Sequence, residues 1–311
     1  MSTGFVTIGS RGSALALAQA NLVVDAFRQV GQATRIVVIE TAGDRRAPDT
    51  AWGEGAFVAA IERALLDERV DVAVHSAKDV PTDEDPGLLI GAYPARADPR
   101  DALVVRMGSA HRRIDDLPPG SRVGTDSPRR TGFVLARRPD IVLHPLHGNV
   151  DTRLRRLDDG ETDALVLACA GLDRLGLGDR IAERLAPEIV PPAPGQGAIA
   201  VQIRRDDWRM IVLAASIDDR ATRSAVESER GFLAASGGGC RSPIGALARI
   251  EDDILVLLGG YARANGSATA VGHRGGAVTD GVALGRELAS ELASRMGDDW
   301  PDARQDSSVS A

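Results

Sequence analysis

The chain has 311 residues, more than one hydrophobic core usually organises, so two or three domains are expected. A content of 43% hydrophobic and 26% charged residues describes an ordinary globular protein. A net charge of -7 and only 3% aromatic residues argue against a nucleic-acid partner held by charge or stacking.

In chain order, Phe5–Ile8, Arg35–Ile39, Asp71–Val74, Leu103–Arg106, Arg122–Gly124, Ile141–Leu143, Ala164–Leu167 and Ala198–Ile203 read as buried strands. Between them, Ala14–Val30, Ala56–Asp67, Pro128–Arg137, Val150–Asp158 and Asp179–Leu185 have helical spacing. This alternation predicts parallel sheets with helices on both faces, a doubly wound α/β class. Proline-rich passages near 94–100 and 187–194 suggest two crossings, with a second α/β domain inserted in the first by paired hinges. From Arg220 the pattern changes to one helix, Arg220–Ala235, then strand-like Ile244–Ile250, Ile254–Ala262 and Ser267–His273, and a last helix, Gly281–Met296. That predicts a small α+β C-terminal domain. The expected units are 1–96 with 194–217, then 97–193, then 218–300, with a disordered tail over 301–311.

No run approaches the roughly 18 apolar residues of a membrane span. Residues 1–10 lack the basic and apolar stretches of a secretory leader. Two cysteines make no disulfide framework, so a cytoplasmic protein without a membrane partner is expected.

Lys78 is the single lysine among 37 basic side chains. Where arginine replaces lysine almost everywhere, the one retained marks a position suited to a compact ammonium beside Asp79. Residues 100–156 carry 12 Arg against 6 Asp, an arginine-rich island in an acidic chain that points to an anionic ligand. Three turns share one design: Gly9-Ser10-Arg11-Gly12-Ser13, Gly124-Thr125-Asp126-Ser127-Pro128-Arg129-Arg130, and His147-Gly148-Asn149-Val150-Asp151-Thr152-Arg153. Each puts backbone N–H groups, a helix N-terminus and arginines at the carboxyl edge of a sheet. Neither Gly-x-x-x-x-Gly-Lys-[Ser/Thr] nor Gly-x-Gly-x-x-Gly is present, so a nucleotide is disfavoured. Arginine forks match carboxylates, and a polycarboxylate fits.

No metal site is expected: His144 and His147 are three apart in a loop, and His75 reads as a structural histidine on a buried strand. Cys169 ends an apolar strand and reads as a buried small hydrophobe. Cys240 follows Gly237-Gly238-Gly239 and precedes Arg241, a setting that leaves sulfur accessible and favours thiolate, or else a bystander in a loop.

Taken in order, Gly9-Ser10-Arg11-Gly12-Ser13-Ala14-Leu15-Ala16, His75-Ser76-Ala77-Lys78-Asp79-Val80-Pro81, Asp98-Pro99-Arg100-Asp101, Val123-Gly124-Thr125-Asp126-Ser127-Pro128-Arg129-Arg130, Gly148-Asn149-Val150-Asp151-Thr152-Arg153, Pro194-Gly195-Gln196-Gly197 and Gly238-Gly239-Cys240 resemble the motifs of the hydroxymethylbilane synthase (porphobilinogen deaminase) family. The resemblance covers essentially the whole chain. It implies two type II periplasmic-binding-protein-like domains and a third, small one. It also implies a dipyrromethane cofactor held through a thioether to Cys240, and stepwise head-to-tail condensation of four porphobilinogens with loss of ammonia. By match to these motifs, Asp79 is the catalytic carboxylate. Cys240, Lys78, Ser127, Arg129, Arg130, Asp126 and Gly197 hold the cofactor. Arg11, Ser13, Gln19, His147, Arg153 and Arg174 hold substrate. The resemblance further implies a monomer acting on a small molecule.

Two residues depart from the family pattern: His147 stands where an arginine is usual, and Glu54 where Lys or a neutral residue is common. Both reduce positive charge near the expected cleft. Three readings compete with the enzyme: a solute-binding module, a Schiff-base enzyme using Lys78, and a catalytically weakened homologue that only binds a small polycarboxylate.

Overall fold

Short apolar runs that alternate with amphipathic stretches bury both faces when the runs form a sheet and the stretches cover it. The computed structural model describes residues 4–40, 58–239 and 242–297. The chain begins β1 (Val6–Ser10), α1 (Ala14–Gln29), β2 (Thr34–Val38), α2 (Ala59–Leu66), β3 (Val72–Ser76) and β4 (Leu88–Ala92). Next come β5 (Asp101–Val105), β6 (Arg122–Gly124), α3 (Pro128–Arg137), β7 (Val142–His144), α4 (Val150–Asp158), β8 (Ala164–Ala168), α5 (Cys169–Arg174) and β9 (Ile181–Arg184). The remainder is β10 (Ile199–Arg204), α6 (Trp208–Ala215), α7 (Arg220–Ala235), β11 (Ile244–Glu251), β12 (Ile254–Ala262), β13 (Thr269–Ala277) and α8 (Gly281–Met296).

The first sheet has the order β2-β1-β3-β10-β4 and the second β7-β6-β8-β5-β9. The two orders are equivalent. In each, the strand that enters from the other unit occupies the fourth place and lies antiparallel to both neighbours. Each sheet is therefore mixed, which corrects the expectation of parallel sheets. The strands β5 and β10 follow the crossings rather than a covering helix, so no βαβ connection fixes their direction. The expected helix over 179–185 is also corrected. Residues 178–180 form one tight turn, and β9 pairs with β5 instead. Seven residues are too few to carry a helix on local propensity when a sheet edge is available.

Elements β4, α5 and α6 were not legible as such in the pattern. In β4, Gly91 interrupts the apolar run because α6 packs closely there: a Cβ at this position would lie 2.8 Å from that of Ala214. The core of the first sheet gathers Val6, Ile8, Phe27, Val72 and Val201, and that of the second gathers Leu103, Val123, Phe133 and Val166.

The third sheet, β11-β12-β13, is antiparallel and packs against α7 and α8 through Phe232, Leu257, Tyr261, Leu288 and Leu292. Asp219 caps α7, accepting a hydrogen bond from the Thr222 N–H at 2.7 Å. Among the described residues no helix is long and apolar enough to cross a membrane.

The two crossings between the first sheets run side by side. Ala97 N donates to Gly197 O at 3.2 Å. Gly197 has φ +87, and a Cβ there would meet Ala97 O at 2.5 Å, so only glycine lets the strands approach. The expected tail over 301–311 lies outside the described residues.

Candidate functional site

Parallel strands end at a common edge, and the helices that follow begin with unpaired N–H groups. Those edges of the first two sheets face each other across a solvent-open cleft of about 200 Å³. Arg11, Ser13 and Gln19 line it from the start of the first unit, Ser76, Lys78 and Asp79 from the end of β3, Arg130 from α3, and Asn149, Asp151 and Arg153 from α4.

Local sequence explains each position. Ser13 caps α1, its Oγ accepting from Ala16 N at 3.3 Å. Ser127 caps α3 in the same way, accepting from Arg130 N at 3.4 Å, with Pro128 in the first turn. Before α4, Gly148 turns with φ +114, and Arg153 Nε donates to its carbonyl at 2.8 Å. Burial and the neighbouring Arg130 hold the Arg153 guanidinium down to about 10, with Asp126 opposing. Gln19 Nε2 donates to Ser76 Oγ at 2.8 Å.

Lys78 and Asp79 sit together on one tight turn, Ala77–Asp79, with Asp79 exposed and Lys78 half-buried. Lys78 Nζ donates to Gln196 Oε1 at 3.3 Å. Burial pushes its ammonium down to about 8, against the opposing pull of Asp79. The cation persists below that value and is lost above it. Affinity for a small polycarboxylate should therefore fall as pH rises through about 8, and Lys78→Gln should remove that fall. Titration calorimetry at fixed ionic strength measures both. Equal slopes for the two proteins would show that Lys78 does not contact the anion. For stability the sign is opposite: the depressed value costs the folded state below about 8, and the cost disappears as pH rises towards 10.5.

Arg129 and Arg130 share one buried carboxylate. Asp101, at the head of β5, is fully buried; its Oδ2 accepts from Arg129 Nη1 at 2.6 Å, and its Oδ1 from Arg130 Nη2 at 2.8 Å and Gln196 Nε2 at 2.9 Å. Burial pushes the Asp101 carboxyl up, but the two guanidiniums more than reverse this and hold it well below the usual range. Arg129 also donates to Pro191 O at 2.6 Å and is not among the cleft-lining residues, whereas Arg130 is.

Asp126, His147, Arg174 and Gly197, also expected in the site, are not in the lining of the cleft. His147 Nδ1 is 2.7 Å from Asp126 Oδ2, an ion-pair distance without the alignment of a hydrogen bond. Arg174 Nη2 donates to Gly197 O at 2.7 Å, while its buried Nε has no hydrogen-bond partner among the described residues. Cys240 and Glu54 lie outside the described residues. On the near flank, Ser242 N donates to Gly239 O at 3.0 Å. His75 Nε2 pairs with Gln202 Oε1 at 3.1 Å, and burial lowers its value to about 4, as suits a neutral structural histidine.

Asp101 and Gln196 lie within Asp98-Pro99-Arg100-Asp101 and Pro194-Gly195-Gln196-Gly197, yet local sequence alone assigns neither a role. A carboxylate heading an apolar strand was the available signal, since a buried charge demands a partner. Two α/β units of equivalent strand order thus enclose a cleft lined mainly by cationic side chains together with the carboxylates of Asp79 and Asp151. The family described as "Porphobilinogen deaminase, dipyromethane cofactor binding domain" matches residues 6–212, and "Porphobilinogen deaminase, C-terminal domain" matches residues 224–294.

The chain belongs to the porphobilinogen deaminase family. It is 46% identical over 297 residues to the porphobilinogen deaminase of Roseiflexus castenholzii, covering 94% of this chain and 97% of that one. To that of Deinococcus radiodurans it is 42% identical, covering 93% and 96%. Among solved structures, the periplasmic VFT2 domain of Bordetella pertussis BvgS is 17% identical, covering 68% of this chain and 86% of that one, with a TM-score of 0.41.

A dipyrromethane suits this donor set. Arg11, Lys78, Arg130 and Arg153 bring four cationic side chains to one cleft, and the buried Arg174 Nε lacks a hydrogen-bond partner among the described residues. Both features fit a ligand carrying several carboxylates.

Proposed function

We infer that this chain has hydroxymethylbilane synthase activity, condensing four porphobilinogens head to tail with loss of ammonia and releasing the linear tetrapyrrole by hydrolysis. The observation that carries this reading is the pairing of Lys78 with Asp79 on one turn, inside a cleft lined by Arg11, Arg130 and Arg153, in a chain of this family.

Each pyrrole bears an acetate and a propionate arm. Arg11, Arg130 and Arg153 offer planar forks to such carboxylates, and Ser13 and the N-termini of α1 and α4 add hydrogen-bond donors. Lys78 adds a point charge that titrates near working pH. Ser127, Asp126, Arg129 and Gly197 support this set from behind: the first caps the helix bearing Arg130, and Arg129 shares its counter-charge. Asp79, exposed to the cleft, accepts and returns a proton at pyrrole nitrogen and faces the positive charge that develops as ammonia leaves. Gln19 and Ser76 close the floor beside it. A dipyrromethane held by Cys240 would supply the nucleophilic pyrrole carbon on which the product grows. His147 and Arg174 reach substrate arms at the rim in this reading.

The same reading takes 1–96 with 194–217, then 97–193, then 218–300 as the three domains, and the protein as a cytoplasmic monomer acting on a small molecule. The deciding experiment is an intact mass. The purified protein should exceed its sequence mass by two porphobilinogen units less two ammonias. Cys240→Ala should lose that increment and Cys169→Ala should keep it. An increment that survives loss of Cys240 would place attachment elsewhere.

A further inference from the structure

The carboxylate of Asp79 receives no hydrogen bond from the described residues, so its direction is set by the backbone on either side. On the near side, Val80 N donates to Ala77 O at 3.3 Å and closes the turn. On the far side stands Pro81, which has no N–H to offer a neighbouring strand.

What holds that far side comes from the third unit. Arg230, on α7, donates from Nη1 to Val80 O at 3.1 Å and from Nη2 to Pro81 O at 2.9 Å. The same Nη2 reaches Glu84 Oε1 at 2.6 Å. One fork therefore grips the two carbonyls that follow Asp79 and anchors to a carboxylate further along. Its side chain is 15% exposed, so the grip is largely shielded from water. The base of the fork is itself fixed, because Glu229, next to it on α7, is buried and accepts from Arg96, Gly195 N and Ala248 N. Helix α7 then continues through Ala235 towards Gly239, the described flank of Cys240.

Resting on the reading of Asp79 as the catalytic carboxylate, we propose that Arg230 is a positioning residue that fixes Asp79 relative to the helix leading into the cysteine loop. Repeated condensations need the same carboxylate at the same place for each incoming pyrrole. Reacting groups displaced by about 1 Å can lose on the order of 10²-fold in rate. A guanidinium suits the task because its planar fork spans two carbonyls and a carboxylate at once, which an ammonium does not.

The test uses the full-length, loaded enzyme and four variants: Arg230→Gln, Arg230→Lys, Glu84→Gln and Asp79→Asn. Steady-state kinetics, intact mass and thermal melting are read on each. Arg230→Gln should lower kcat by roughly 10- to 100-fold with KM changed by less than about twofold, while retaining the mass increment. Glu84→Gln should stay within about threefold, because the carbonyl grip persists, and Arg230→Lys should fall between the two. The proposal is overturned if Arg230→Gln keeps kcat within about twofold, or if its loss lies in KM. It is equally overturned if Glu84→Gln does as much damage, or if the mass increment disappears. Should Arg230→Gln not fold, Arg230→Lys decides: a loaded protein with parental kcat overturns the proposal, and a lowered kcat at parental KM supports it. Asp79→Asn separates the two layers. If it leaves turnover intact, the catalytic reading fails. If it abolishes turnover while Arg230→Gln does not, only the positioning role fails.

Discussion

Asp79→Asn should lower kcat by about 10²-fold or more while leaving substrate affinity nearly unchanged. The side chain stands exposed in a cleft whose other charged groups are mainly cations. In the proposed reading Arg11, Arg130 and Arg153, which line the cleft, bind the substrate arms and contribute equally before and during reaction. Asp79 is different, since a carboxylate among polycarboxylate ligands gains nothing in the ground state. Its negative charge becomes useful only when positive charge develops on the pyrrole, and such an interaction acts on the chemical step. Asparagine preserves size and one acceptor oxygen but removes the charge and the proton-accepting capacity. Pre-steady-state binding and turnover measured on the same loaded preparation separate the two effects. A variant within about threefold of the parent would leave Asp79 a structural partner of Lys78.

Asp101→Asn should be among the most destabilising single substitutions in the chain. The Arg129 and Arg130 side chains are 4% and 7% exposed, and both take their counter-charge from this fully buried carboxylate. Neutralising it strands two guanidiniums in a poorly solvated interior. Breaking a buried pair in this way typically costs about 3–5 kcal/mol. Because the carboxyl lies below its usual range when folded, its contribution is complete at neutral pH and is lost only as pH falls through that depressed value. Urea unfolding at neutral pH therefore reads the full effect. The solvent-exposed Arg137–Asp115 pair supplies the control, since Asp115→Asn should hardly move the midpoint. A loss below about 1 kcal/mol for Asp101→Asn would mean that the two arginines find other partners or water. Turnover should fall as well, because Arg130 faces the cleft on one side and Asp101 on the other.

Much of this site was legible before any coordinates. The lone lysine and its neighbouring aspartate marked the turn after β3, and the three arginine-bearing turns marked the sheet edges that face the cleft. Helices α3, α4, α7 and α8 have the limits that their sequences predict, because caps such as Ser127 with Pro128, or Asp219, act within four residues of the helix start. Apolar periodicity is equally local, and it correctly located most strands to within one or two residues.

What sequence could not decide involves groups far apart in the chain. The antiparallel entry of β5 and β10 depends on where a crossing delivers the strand. The edge strand β9 exists because β5 offers unpaired backbone groups to a segment too short to hold a helix. Arg129 and Arg130 look interchangeable in sequence. Both pair with Asp101, but only the packed structure gives Arg129 the Pro191 carbonyl as well and leaves Arg130 facing the cleft. Arg230 lies 150 residues from Val80, the carbonyl it grips. The lysine and the arginine-bearing turns that line the cleft were thus legible from composition and from turn chemistry over a few positions. Which charge neutralises which, and what holds Asp79 in place, was decided by burial, because a buried ion must find its partner wherever the fold brings one.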